Sequence, residues 1–205
     1  RGSGTLVSLS TKSDHENILI KNCAAFYSFK KGVSKQKSPT SLMGSIALVR
    51  QTFLDAEWYK SQKKQVNLSY EAFINQQSLP QIFAINDELD YSRVYKIADE
   101  FEIDFIIKGN GKEHLRIDEI INTECPIIIP LNFPNAYDVT NPEVADWLSL
   151  QKLKNWESAP YNALILAENN IDFCITAADL KDSKKFLRNL QFSVAKGLTK
   201  EDALA

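Results

Sequence analysis

Two histidines, His15 and His114, and three cysteines, Cys23, Cys125 and Cys174, are all that 205 residues offer in the way of soft metal ligands. A hydrolytic metal centre draws on several His and carboxylate ligands, which two isolated histidines do not supply. The cysteines are odd in number, widely spaced and set in apolar sequence. That excludes a disulfide framework and a clustered metal site and predicts buried free thiols. A nucleophilic cysteine would need a nearby base, and the sequence offers none. No run of about 18 apolar residues is present, which excludes a membrane-spanning helix. An excess of charge is missing too: 24 Lys and Arg against 26 Asp and Glu leave a formal charge of −2, so neither nucleic acid nor a membrane is the expected partner. The one basic cluster, Lys30, Lys31, Lys35 and Lys37 around Gly32 and Ser34, has the character of a solvated turn. The opening RGSGTLVSLS has no charged start, continuous apolar stretch or small-residue cleavage site, and no initiator methionine. The expectation is a soluble chain, processed or excised from a longer one, whose compartment, cytoplasmic or exported, stays open.

What is present is 44% hydrophobic residues, enough to bury a substantial core. Residues 1–39 predict a β segment and loop, with TLVSLS, ENILIKN and CAAFYSF as two or three paired strands. Residues 40–79 predict helices. The first, from Leu42 to Tyr59, starts at an N-cap on Thr40 or Ser41, buries Leu42, Ile46, Val49, Phe53 and Ala56, and carries Arg50, Asp55 and Glu57 on its other face. The second covers about 68–78, ahead of Pro80. From residue 80 to 205 a βα rhythm runs, with strands at 81–86, 103–108, 126–129 and 172–176. Helices lie between them: one buries Leu89, Val94, Ile97 and Phe101, one carries Leu115, Ile120 and Ile121, one near 143–155 carries Trp147, Leu150 and Leu153, and one lies near 160–169. A Lys- and Leu-rich helix over 182–196 stops at Gly197, and LTKEDALA opens another. Parallel strands need crossovers of this kind.

In parallel α/β folds, ligands bind beyond the carboxyl ends of the strands. Here those ends carry Asn86 and Asp87, Lys108 and Asn110, Asn132, and Thr176 with Asp179. Lys108 suits an anion, and Asp87 or Asp179 suits a general base or metal ligand. Asp87 and Asp179 also stand where a helix N-cap or first-turn acid is expected. The GNG at 109–111 has a strand before it and a helix after it, as a phosphate cradle does, but it lacks the further glycine or Lys of the known phosphate loops and more often marks a tight turn. His15 falls in a polar turn. His114 begins a helix on the side where a site would be, where a surface position is expected.

Longer segments carry a resemblance. SPTSLMGSIALVRQTFLDAEWY, IFAINDELDYSRVYKIADEF, IIKGNGKE, PIIIPLNFPNAYDV, LKNWESAPYNALIL and TAADLKDSKKFLRNLQFSVAKGLTKEDALA resemble, in order, imidazolonepropionase-like proteins of the amidohydrolase superfamily. The resemblance implies the C-terminal portion of a (β/α)8 TIM barrel with a short N-terminal β segment, spanning 1–205. It also implies one or two divalent metal ions, zinc or iron, that activate water against a C–N bond such as a cyclic amide. The family's ligands are a His-x-His pair after the first strand, a Lys or Glu on the fourth, a His on each of the fifth and sixth, and an Asp on the eighth. The first strand is not in this chain. The strand-five His would fall around Asn86, the strand-six His around Lys108 or Gly109, and the strand-eight Asp near Ala178 or Asp179.

Only Asp179 keeps its ligand type, so no metal is expected in this piece. Two readings follow. In one, the parent protein is a metal-dependent hydrolase of C–N bonds acting on a small molecule, with Asp179 its only catalytic contributor here. In the other, favoured for this piece, the barrel is catalytically degenerate and Asn86, Asp87, Lys108, Asn132 and Thr176 bind a small polar ligand or serve assembly. Missing strands would leave open edges, which predicts self-association or covering by the missing remainder of the chain.

Overall fold

A computed structural model describes residues 2–11, 13–32, 35–62, 65–180 and 182–204. Ser34 of the basic turn lies outside them. The chain forms two compact units, one from Arg1–Asn86 and Arg93–Ile106, the other from Asp87–Ser92 and Ile107–Ala205. Among the described residues no helix is long and apolar enough to cross a membrane.

The first unit begins with an antiparallel pair, β1 (Gly2–Val7) and β2 (Ile18–Ser28), in register from Gly2 opposite Phe26 to Val7 opposite Ile18, with irregularities around Leu6. ENILIKN and CAAFYSF thus belong to a single strand, which passes through Asn22 at φ 53°. Tolerance of the left-handed region by asparagine lets the strand continue where a break was expected. β2 then pairs in parallel with β3 (Gln81–Ala84), Ala25 opposite Gln81 and Ser28 opposite Ala84.

Two helices lie between these strands. Ser41 caps α1 (Leu42–Gln62), its Oγ accepting the Gly44 amide at 3.1 Å. The buried positions are Ser45, Phe53, Ala56 and Tyr59, while Leu42 is exposed. Asn67 caps α2 (Leu68–Gln76). On the outer face Arg50 makes a two-pronged bond to Glu100, Nε–Oε2 2.7 Å and Nη2–Oε1 2.6 Å. The core is aromatic: Phe83 stacks on Tyr27 at 6.2 Å, Phe105 meets Tyr27 edge-on at 5.7 Å, and Phe53 stacks on Phe101 at 5.0 Å. Burial pushes the Tyr27 hydroxyl up to about 12, and it donates to Gln81 Oε1 at 2.7 Å. A buried amide is thereby satisfied from both ends, since Gln81 Nε2 donates to the carbonyls of Gln76 and Leu79.

In α3 (Asp90–Phe101), Val94 and Ile97 are buried as the periodicity requires, whereas Leu89 precedes the helix and is exposed. The helix straddles the division of the chain, as does β4 (Phe105–Lys108).

The second unit holds the parallel strands β4, β5 (Ile127–Pro130) and β6 (Phe173–Thr176) in that order, with Lys108 opposite Ile128 and Pro130 opposite Thr176. Ile107, Ile127, Ile129 and Leu166 form its apolar interior. A 3₁₀ turn (Glu113–Arg116) leads into α4 (Ile117–Ile121), which buries Ile120 and leaves Ile121 exposed. The helix expected near 143–155 is two, α5 (Pro142–Asp146) and α6 (Leu150–Ser158). Ser149 is the reason for the break, its Oγ accepting the Lys152 amide at 3.4 Å as an N-cap. Trp147, Leu150 and Leu153 lie exposed rather than on a core face. Beyond α7 (Asn162–Glu168) and β6, α8 (Lys185–Ala195) ends at Gly197, φ 120°, and α9 (Lys200–Leu204) follows. Of the thiols, which the sequence predicts to be buried, Cys23 and Cys125 are half-buried and Cys174 is exposed, on β6, where no residue is fully buried and Cys174 alternates with half-buried Phe173 and Ile175.

Candidate functional site

In the second unit the loop after β4 closes on itself. Glu113 is fully buried, and its Oε1 accepts the amides of Asn110 at 2.8 Å and Gly111 at 3.1 Å and the Tyr91 hydroxyl at 3.2 Å. Its Oε2 accepts Asn162 Nδ2 at 2.5 Å. Two of the GNG amides a phosphate would need are therefore spent on an internal carboxylate, and the third, of Gly109, donates to the Ile128 carbonyl at 2.9 Å. Burial and the neighbouring Glu113 carboxylate together push the Tyr91 hydroxyl well above its ordinary value. Glycine at 109 is required by the closure, since a Cβ there would stand 2.1 Å from Glu113 Oε1. Gly111 sits at φ 85°, where a Cβ would meet Asn132 Oδ1 at 2.7 Å, so that bare backbone lets the β5 loop approach.

His114 belongs to this closure rather than to the surface. Asn162 Oδ1 accepts both its backbone amide, at 2.8 Å, and its ring Nδ1, at 3.1 Å. Because Asn162 gives its only donor group to Glu113, its oxygen must accept, which assigns the proton to Nδ1. Nε2 is buried without a hydrogen-bond partner, and burial holds the imidazole below its ordinary value. His15 is exposed in the turn between β1 and β2.

The ends of β5 and β6 are open. Lys108 Nζ donates to Asp179 Oδ2 at 2.6 Å, joining two residues 71 positions apart. Asp179 is held at φ 67° ahead of α8, whose N-cap position is Lys184 with no side-chain cap; Asp182 Oδ1 accepts the Lys184 amide at 3.0 Å in the preceding turn. A cleft of about 760 Å³ opens beside this pair, between the loop carrying Asn132, Phe133 and Asn135 and one face of α8, with Lys185, Arg188 and Phe192. Asn189 Nδ2 ties the helix to the Leu131 carbonyl at 2.6 Å, and Phe133 meets Phe192 edge-on at 6.3 Å.

Of the strand-end residues, Lys108, Asn132 and Asp179 thus converge. Thr176 does not join them through its hydroxyl, which accepts the Ala178 amide at 3.1 Å. Asp87 caps its own loop, accepting the Leu89 amide at 3.0 Å. Asn86, half-buried, stands at the end of the first unit. Glu113, Tyr91, Asn162, Lys185 and Arg188 were not on the strand-end list. Only the spacing of Glu113, three residues after Asn110, hinted at a carboxylate folded back on its own loop.

No protein-family model matches the chain, and no curated protein matches it. Among solved structures, an amidohydrolase from Thermotoga maritima matches with a TM-score of 0.72 at 16% sequence identity, over 99% of this chain and 54% of that one. The chain therefore has the mixed α/β fold seen in an amidohydrolase, and it spans about half the length of that neighbour.

Proposed function

We propose that the chain is an amidohydrolase-related protein, akin to metal-dependent hydrolases of C–N bonds, in which the strand-end residues no longer build a metal centre and instead serve a ligand cleft. The fold match supports the hydrolase kinship. The finer reading, a portion of a (β/α)8 barrel of the imidazolonepropionase-like branch, rests on the SLMGSIALVRQTF segment and the motifs that follow it.

The observation that carries the proposal is the Lys108–Asp179 pair at 2.6 Å. A divalent ion needs several anionic or imidazole donors at about 2.0–2.6 Å. Here the carboxylate that best fits such an ion already faces an ammonium. The other strand-end group at the cleft is the amide of Asn132, and among the described residues no three His, Cys, Asp or Glu side chains gather. This donor set does not fit the metal. The pair is not explained by stability either, because an ion pair with Asp179 half exposed contributes about 0–1 kcal/mol. Its effect is electrostatic: it cancels the acid at the cleft floor.

Elemental analysis of the purified full chain tests the reading. Zinc, iron and manganese at trace level only are expected. Stoichiometric metal that disappears in Asp179→Ala, together with a hydrolytic activity lost in the same variant, would replace this reading with that of an active hydrolase. We also propose self-association through β6, the last strand in its sheet order. A clean monomer by gel filtration at high concentration would count against it.

A further inference from the structure

We propose that the groove between β2, α1 and α2 in the first unit binds a small neutral aromatic molecule carrying one hydroxyl or N–H group. The site goes beyond the strand-end reading, since its lining runs from Gly2 to Gln76 and lies wholly within the first unit.

Side-chain size creates the groove. α2 turns Ser69, Ala72, Phe73 and Gln76 to it at helical spacing, and two of those four are small. Where larger side chains would have closed α2 onto α1, an opening of about 340 Å³ remains, at the small end of the range for ligand sites. α2 accordingly has no fully buried residue. The walls are rings already set against one another. Phe53 meets Phe73 edge-on at 5.1 Å, and Tyr27 meets Phe73 edge-on at 6.4 Å and Phe53 at 5.9 Å. The Tyr27 hydroxyl donates to Gln81 Oε1, which fixes its ring and spends its proton. Such a wall needs little reordering to accept one further ring, edge-on or offset.

Charge selects the class of ligand. Among the described residues no charged side chain lines the groove, so an ionic ligand would lose its water with nothing to offset the cost. Thr52 spends its hydroxyl on the Leu48 carbonyl at 2.7 Å. The Ser69 hydroxyl and the Gln76 side-chain amide, in contrast, make no hydrogen bond among the described residues. A neutral O–H or N–H on an otherwise apolar ring matches that set, with the Gln76 amide oxygen as its acceptor.

A gap between two helices and a sheet is ordinarily a packing defect, so the test separates a fitted site from a general apolar surface. Calorimetric titration with 2-naphthol, 2-naphthoate and 2-naphthylmethylammonium would be run on the full chain and on Ala72→Trp and Ser69→Phe. Each substitution adds a ring at an exposed α2 position that lines the groove. Saturable one-to-one binding of 2-naphthol is expected, weakened about tenfold or more by either charge on the ligand and by either substitution. Gln76→Leu, which leaves the rings in place, is expected to weaken it about fivefold. Circular dichroism and urea midpoints that match the parent's keep folding out of the comparison, and Ser69→Phe decides should Ala72→Trp not fold. The proposal is overturned if either ion binds as tightly as 2-naphthol, if the folded groove-filling variant binds as well as the parent, or if no saturation appears by about 1 mM.

Discussion

The loop after β4 and the loops after β5 and β6 stand at the same ends of neighbouring parallel strands, yet they have opposite fates. The first is filled from within: Glu113 takes the amides of Asn110 and Gly111, and Tyr91 and Asn162 complete its shell. The second is left open, with Lys185 and Arg188 on one wall and the Lys108–Asp179 pair beside it. The difference shows how a strand-end position loses or keeps a binding role. Where a carboxylate of the chain itself satisfies the loop, rigidity is gained and the site is closed to external anions. Where Lys185 and Arg188 face the cleft with no carboxylate partner among the described residues, room for a ligand remains.

The largest effect is expected from breaking the closed loop. Glu113→Ala leaves four donors without their acceptor, and urea denaturation is expected to report a loss of about 4 kcal/mol. A loss below about 1 kcal/mol would mean that water replaces the carboxylate, and the two loops would then differ less than described. Gly109→Ala attacks the same closure by crowding, with a new Cβ 2.1 Å from Glu113 Oε1, and about 2 kcal/mol of destabilisation is expected.

Much of this architecture was legible in the chain. The apolar runs at 81–86, 103–108, 126–129 and 172–176 locate β3 to β6, each a four-residue strand, with β5 ending one residue past its run at Pro130. Ser41 and Gly197 mark helix ends that local chemistry alone predicts. Lys108, Asn132 and Asp179 follow directly from the strand ends that the apolar runs mark, and Lys108 and Asp179 meet at 2.6 Å. What was not legible depends on distant partners. Glu113 looks like a first-turn acid until Tyr91, 22 positions earlier, and Asn162, 49 later, are known to meet it. His114 appeared exposed for the same reason, since its ring partner is 48 residues away. Trp147, Leu150 and Leu153 have the spacing of a core stripe, and periodicity does not say whether anything packs upon it.

On the open side a smaller effect is expected. Asn189→Ala removes the tether to the Leu131 carbonyl, costs about 1 kcal/mol by denaturation, and loosens the cleft without touching the closed loop. The smallest effect is a pH dependence. Burial depresses the His114 value in the folded state below its ordinary 6.5, so the unfolded chain takes up the proton first. The stability that neutral His114 contributes is complete above pH 6.5 and is lost as the pH falls through 6.5 toward the folded value. The stability difference between the parent and His114→Gln, measured by urea midpoints at about pH 8 and about pH 5, should therefore shift against the parent at the lower pH. A pH-independent difference would place the imidazole in contact with water.

The central claim is the one proposed above, that the Lys108 ammonium engages Asp179 and leaves no metal centre at these strand ends. Calorimetric titration of zinc into the chelator-treated full chain tests it most directly. The account predicts no stoichiometric uptake by the parent and none gained by Asp179→Ala. One-to-one zinc binding by the parent, abolished in Asp179→Ala, would contradict it.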